Sequence, residues 1–594
     1  MKERNEINDE FKWDLSSLYK SLAAFESDFE TVKTQGDELL KYKGKILETP
    51  TNLLGVIELS LQVSRTLSNL YAFAKMRSDE DTSDTENQGL VSRVESLSVS
   101  ISSKTSFITP EILSGSKEKI ESYINNTDEL KIYKQYLDDI LRMKPHVLTE
   151  KEEKIMAQAG EIMAGPENIF SMLNNADFKF PTIKDENGED LELSHGNFIK
   201  TLEKPHREVR AEAFKKYYSV YEDHKNAIAT TLATQIKKDV FVSTTRNYNS
   251  ALEASLNNNK IPTAVYNRLI ESVHENIDGL HDYMALRKKA LGLDELHMYD
   301  LYTPIIKSVD FEIPYNESKE ILLESLKPLG EQYISVVNDA FNKKWIDVYE
   351  SKGKRSGAYS YGTYDSLPYI LLNYQDNLNS LFTLTHEMGH SMHSHLTRTK
   401  QPFVYGDYSI FLAEIASTTN EAFLTDYLLE SLEDEQKKLY VLNHYLEQFR
   451  GTIFRQVMFA EFEKFMHEKV EKGEPLTVDV LNKKYKALNE FYYGPSVVVD
   501  DEIALEWARI PHFYYNFYVF QYATGFSAAI AMNKKIKEEG SPAVKGYIDF
   551  LSGGSSKYPI DLLKKAGIDM TSKAPVEDAL KVFKAKVKEM ESLL

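Results

Sequence analysis

The stretch "LTHEMGHSMHSHL", residues 384–396, packs four of the chain's 14 histidines into a dozen positions, and its logic holds only on a helix. His386 and His390 are four residues apart, so on a helix both imidazoles leave one face about a turn apart and can grip a single ion. Glu387 sits beside them without sharing their direction. Its carboxylate therefore addresses a water on the ion rather than the ion itself, which is the placement of a general base. Zinc is the default ion for two imidazoles plus a carboxylate, with manganese and cobalt as substitutes. The motif is short enough to arise by chance, and its weight comes from the host segment. Leu381, Leu384, Met388 and Met392 form an apolar stripe that anchors the helix in a core while the histidine face points elsewhere.

A third ligand is needed. The longer pattern HExxHxxGxxH would require Gly at 393 and His at 396, where the chain has His393 and Leu396, so that solution is rejected. The remaining common solution is a glutamate on a following helix, and "GDYSIFLAEIASTTNEAFLTDYLLESL" (406–432) reads as one. Glu414 is its first glutamate and is assigned as the ligand. Thr418 and Glu421 follow at i+4 and i+7 on the same face, which makes Glu421 either an acceptor for a ligand imidazole or a solvated or capping carboxylate. His393 shares the face of His386 but lies too far along the axis for a tetrahedral site. It reads as a structural histidine or as a contact to ligand or substrate. His395 points away and reads as polar surface.

Working outward, most of the 594 residues show helical periodicity with charged faces. Thr149 with Glu152 forms a capping box, Pro262 and Thr263 head another helix, and residues 575–592 form an amphipathic helix begun by Pro575. Two regions break the pattern. "FPTIKDENGEDLELS" (180–194) alternates about Asn187-Gly188 and predicts a β-hairpin. "GAYSYGTYDSLPYILLNY" (357–374) predicts one or two short strands. Its first part, 357–364, reads either as a buried strand or plain loop, or as a sheet edge near the histidine helix on which an extended peptide could be held by backbone hydrogen bonds, with Gly357 and Gly362 allowing close approach. The fold class is mostly α with a small sheet beside the histidine helix. A weakly marked boundary near residue 196 divides an N-terminal helical region, 1–196, from a catalytic region, 197–594.

The net charge of −20, with pI near 5.3, argues against nucleic-acid or anionic-membrane partners, which need basic surface. There is no cysteine, which removes disulfides and thiolate chemistry and fits a reducing cytoplasm. The start, "MKERNEINDEFKWDL", shows no apolar core of a signal peptide. The most apolar stretch, "IPHFYYNFYVFQYATGFSAAIAM" (510–532), carries polar and tyrosine side chains and reads as protein interior rather than a membrane span. If helical beyond Pro511, it lines Tyr515, Tyr518 and Tyr522 along one face. Core packing accounts for any single tyrosine. Attack on an amide also leaves an oxyanion, and His512 with one or two of these phenols could donate to it.

These residues together resemble a known family. "HEMGHSMH", then "EIASTTNE" 24 residues after His390, and "RIPHFYYNFYVFQYATGFSAA" look like oligoendopeptidase F of the thimet-type zinc oligopeptidases. The resemblance extends to "FKWDLSSLY", the hairpin segment and "FLSGGSSKYPIDLLKKAGID". It implies a two-lobed helical ellipsoid split by a deep channel, one zinc ion on His386, His390 and Glu414, and Glu387 as the base. It also implies that His512 with Tyr515 or Tyr518 stabilises the oxyanion, and that short oligopeptides are cleaved at internal bonds in the cytoplasm. No obligate protein partner is evident. Two alternatives are a metallocarboxypeptidase and a non-catalytic peptide-binding protein. The first requires a fixed cation for the substrate carboxylate, for which only Arg509 adjoins the motifs. The second leaves Glu387 without a purpose.

Overall fold

The computed structural model describes residues 1–594 apart from 307, 308 and 310. Helices make up 72% of the chain, so it is mostly α as the periodicity predicts. Their ends follow the punctuation in the sequence. Thr149 and Glu152 cap each other at the head of the helix Glu150–Met163, each backbone N–H donating to the other's side chain. Pro262 precedes the helix Thr263–Glu275, and the terminal helix spans Ala574–Leu593. Among the described residues no helix is long and apolar enough to cross a membrane.

The chain divides into two compact units, each assembled from three stretches of sequence. The first comprises Met1–Pro145, Phe311–Tyr427 and Met532–Ile568. Its helices Leu22–Leu39, Pro50–Glu80 and Thr85–Thr105 share a core that includes Phe25, Val32, Leu53, Leu70, Phe73 and Val94. Tyr369 and Leu371 extend that core into a three-stranded sheet. Strand Tyr369–Leu371 is central, parallel to Ile346–Asp347 and antiparallel to Tyr359–Tyr361. Its three residues are fully buried, as a strand covered on both faces must be. Thus 357–374 yields two strands, and Tyr359–Tyr361 is an edge.

The N-terminal segment is tied to this sheet. Val348 N–H donates to Phe11 C=O, and Trp13 Nε1 donates to Glu80 at 2.6 Å. Buried Asp347 is ion-paired to Arg4 at 2.6 Å and Lys354 at 2.7 Å. Burial opposes its charge, but the two cations hold its carboxyl below the usual carboxylate range.

The second unit comprises His146–Asp310, Leu428–Ala531 and Asp569–Leu594. Its spine is the helix Arg207–Thr245, packed by the helices His195–Leu202, Arg455–Glu471 and Val478–Tyr493. The expected hairpin is there. Thr182–Lys184 and Asp190–Glu192 pair antiparallel with Ile183 opposite Leu191. Asp185 closes its turn by accepting from the Asn187 and Glu189 N–H groups, and Gly188 supplies a φ of 82°. Three ion pairs bury at least one charge each in this unit: Arg455 with Glu506, Arg287 with Glu447, and Arg210 with Asp300.

The segment 510–532 is largely interior, but it is not a continuous helix. A 3-10 turn covers Pro511–Tyr514, residues 515–519 are not helical, and a helix resumes at Phe520–Glu539. Asn516 and Phe517 have φ of 47° and 59°, which a right-handed helix cannot accept.

Candidate metal centre

The histidine helix runs from Leu378 to Lys400 in the first unit. Asn377 starts it by accepting the Ser380 N–H at 2.9 Å. Leu381, Leu384, Met388 and Met392 are all fully buried, as the apolar stripe predicts. The four-residue spacing then brings the Nε2 atoms of His386 and His390 to 3.2 Å from each other.

The glutamate helix, Ile410–Ser431, completes the group. Glu414 Oε2 lies 3.3 Å from His386 Nε2 and 3.7 Å from His390 Nε2. One glycine makes this approach possible. A Cβ on Gly389 would lie 2.4 Å from Ser417 Cα and 2.7 Å from Ala416 C=O, so any side chain there would push the two helices apart. The other nitrogen of His386, Nδ1, lies 2.5 Å from Glu421 Oε1. Glu421, one helical face with Glu414, thus fixes the ring that Glu414 faces from the other side.

Among the described residues, His386, His390 and Glu414 form a cluster whose donor atoms could hold a metal ion. Zinc bonds of about 2.0–2.1 Å in a tetrahedron put neighbouring donors about 3.3 Å apart. The separations of 3.2, 3.3 and 3.7 Å match that spacing, and two imidazoles with one carboxylate leave a fourth position open. The residues present fit the ion.

Electrostatics fit as well. Burial disfavours a charged imidazole at His386, but the hydrogen bonds it donates to Glu414 and Glu421 outweigh burial and raise its pKa well above the ordinary histidine value. Burial and the charge on His386 push His390 down to about 4. Glu414 falls to about 2, because its bond to His386 and the charge of both rings overcome burial. Burial raises Glu387 to about 7. The His386 charge and the Ser360 backbone N–H pull it down, while Glu414 pushes it up.

The remaining histidines separate. His393 is buried, stacked flat on Tyr408 at 3.5 Å, and burial holds it well below its ordinary pKa. It is a neutral packing residue. His395 is half-buried against the Trp345 ring at 5.8 Å, so it is less of a surface residue than its position predicts.

In the second unit, His512 and the three tyrosines do gather, but through a bent loop and not along a helix face. From the His512 ring, Tyr515 is 5.8 Å away, Tyr518 6.2 Å and Tyr522 6.0 Å. Tyr515 is 46% exposed, so its phenol is accessible rather than core.

A family model described as "Peptidase family M3" matches residues 201–582, and one described as "Oligopeptidase F" matches 111–180. The chain belongs to peptidase family M3. Within it, the chain is similar to "Oligopeptidase PepF" of Bacillus subtilis, 50% identical over 100% of this chain and 88% of that one. It is 43% identical to an "Oligoendopeptidase F homolog" of Lactococcus lactis, covering 100% and 99% of the two chains. The crystal structure of oligoendopeptidase-F from Enterococcus faecium superposes with a TM-score of 0.75 at 43% identity, over 96% of this chain and 99% of that one. The chain is therefore a metallopeptidase of the oligoendopeptidase F kind, a hydrolase, and M3 peptidases are in general zinc-dependent.

Two features of this M3 peptidase site escape sequence reasoning. The edge strand contributes the Ser360 N–H to Glu387, and its Ser360 Oγ lies 2.8 Å from Ser391 Oγ on the histidine helix. The edge is thus tied to Glu387 and to the histidine helix. The closeness of the two M3 helices depends on Gly389 opposite Ala416-Ser417. A glycine inside "HEMGH" and the small pair inside "EIASTTNE" are the visible signal.

Proposed function

We propose that this protein is a zinc-dependent endopeptidase that hydrolyses internal bonds of short oligopeptides. His386, His390 and Glu414 hold one zinc ion in this reading. The observation that carries it is the donor spacing of 3.2, 3.3 and 3.7 Å, which suits that ion. When bound, zinc supplies Lewis acidity that acidifies a water and polarises the scissile carbonyl.

Glu387 takes the proton of the attacking water and delivers it to the leaving amine. Its position near 7 suits a group that must accept and return a proton at neutral pH. Glu421 holds His386 in one tautomer and orientation. His512 with Tyr515 or Tyr518 is assigned to donate to the oxyanion, on the family resemblance and on the chemistry of imidazole and phenol. The edge strand Tyr359–Tyr361 suits an extended peptide backbone.

Internal cleavage is favoured over terminal trimming by the state of Arg509. It is ion-paired to buried Glu506 at 3.1 Å and so is committed rather than free to clamp a substrate carboxylate. The proposal includes a cytoplasmic setting, as the resemblance implies, and no nucleic-acid or membrane partner. It also includes the division of the sequence near residue 196, which falls between the two family-model matches, 111–180 and 201–582, although it lies inside the continuous stretch His146–Asp310 of the second unit.

A quenched fluorescent peptide blocked at both ends tests the reading. Wild type should cleave it, and Glu387→Gln should lose at least about 10²-fold in kcat with zinc content unchanged. Cleavage restricted to peptides with a free carboxyl terminus would favour the carboxypeptidase, and equal rates for both proteins would remove Glu387 from the mechanism.

A further inference from the structure

Three polar side chains of the second unit, two of them buried, converge on one short segment, Tyr514–Phe517. Asn516 and Phe517 are consecutive side-chain-bearing residues in the left-handed region, a conformation that persists only where the surroundings enforce it. Three helices do so here. Gln235, on Arg207–Thr245, donates to Tyr514 C=O at 3.0 Å. Ser255, on Ala251–Asn257, donates to Asn516 C=O at 2.8 Å. Glu463, on Arg455–Glu471, accepts the Phe517 N–H at 2.6 Å.

The Phe517 ring is held too, 4.2 Å from the His467 ring and 5.6 Å from Tyr266. His467 is itself fixed, with Nδ1 2.9 Å from Glu463 C=O and Nε2 3.5 Å from Asp239. Glu463, His467, Asp239 and Gln235 are all buried. A carboxyl at Glu463 is an expensive way to satisfy one amide in a core, where an apolar residue beside an ordinary helix would do. The left-handed turn is what it secures. By interrupting the helix, the turn brings Tyr515 and Tyr518 around His512, with Tyr515 6.4 Å from Tyr518.

We propose that Glu463 is a positioning residue for peptide hydrolysis: by holding the Phe517 N–H it fixes the turn that sets Tyr515 and Tyr518 against His512. The inference rests on the assignment of His512 and a tyrosine as oxyanion donors. The function required of Glu463 is acceptance of one hydrogen bond, which carboxylate, carboxylic acid and amide all provide. Burial raises its pKa to about 7, so its charge varies near neutrality while that acceptor persists.

The test compares Glu463→Leu with Glu463→Gln in the full zinc-loaded chain, using the doubly blocked peptide. The leucine variant should lose about 10²-fold in kcat, the scale of a misplaced catalytic group, with KM and zinc content near wild type. Glutamine should restore kcat to within a few-fold. Combined with His512→Ala, the leucine variant should be no worse than His512→Ala alone, because both act on one group. Tyr485→Phe, which removes a buried hydrogen bond to Glu506 in the same unit, should lower Tm and leave kcat unchanged.

A folded leucine variant with wild-type kcat overturns the proposal, as does a glutamine variant as impaired as leucine, or losses that multiply with His512→Ala. If the leucine variant does not fold, Ser255→Ala and Gln235→Leu carry the test, and wild-type kcat in both overturns it. Full activity in His512→Ala instead defeats the oxyanion assignment itself, an outcome distinct from an impaired His512→Ala beside an active Glu463→Leu.

Discussion

His386 presents Nδ1 to Glu421 Oε1 at 2.5 Å, so the ring has no freedom to turn its Nε2 away from His390 and Glu414. A ligand held on its far side is worth more to a metal than the same ligand left to rotate. Glu421→Ala should weaken zinc binding by about 10–100-fold in a chelator competition. Glu421→Gln, which keeps an acceptor without its charge, should fall between that and wild type. Unchanged affinity in the alanine variant would mean that helix packing alone orients His386.

Gly389 makes a prediction with an internal control. A Cβ there would lie 2.4 Å from Ser417 Cα, a backbone atom that no rotamer change can move. Gly389→Ala should therefore destabilise the protein by about 1–3 kcal/mol, the range for overpacking, and weaken zinc binding as Glu414 withdraws. Gly160 lies in the helix Glu150–Met163 with open space around the same atom. Gly160→Ala should stabilise by about 0.5–1 kcal/mol through helix propensity. Thermal melts that move in the same direction for both variants would discount the close approach.

The trio was legible in the sequence because each of its features is local. Four-residue spacing fixes the two imidazoles on one face, and Glu414, Thr418 and Glu421 repeat at helical intervals. The tyrosine loop was not legible as a loop. Its i, i+3, i+7 spacing mimics a helix face, whereas the left-handed turn at Asn516 and Phe517 is imposed by Gln235, Ser255 and Glu463. The first two are more than 250 residues away in sequence, and nothing next to Asn516 marks them. His395 differs for the same reason, since its contact with Trp345 joins segments 50 residues apart.

Zinc binding should release protons in a way the two histidines make distinguishable. In the metal-free protein Glu414 and Glu421 raise the His386 pKa against burial, so this ring is expected to carry the proton, whereas burial and His386 push His390 down to about 4. Coordination needs both imidazoles neutral. Binding at pH 7 should then release the His386 proton together with part of one from Glu387, which titrates near 7 beside the site, and affinity should fall at least roughly tenfold for each unit of pH lost. Calorimetry in buffers of differing ionisation enthalpy reads this directly. Binding without proton release would show that His386 is neutral before the ion arrives.

The acid limb of stability should depend on Glu506, which lies outside the metal centre. Burial raises its pKa, but Arg455 at 2.7 Å and Arg509 at 3.1 Å overcome that and bring it to about 2. A carboxyl whose pKa is lower folded than unfolded stabilises the fold above the unfolded value, here 4.5, and loses that contribution as pH falls toward 2. The difference amounts to about 3 kcal/mol at neutral pH. Glu506→Gln should start lower, because two largely covered guanidinium groups lose their buried partner, at a cost of about 3 kcal/mol. Between pH 5 and 2 its denaturant midpoint should fall less steeply than that of wild type. Parallel acid limbs in the two proteins would place the loss at other carboxylates, of which Glu447, also at about 2 beside Arg450 and Arg287, is the next to substitute.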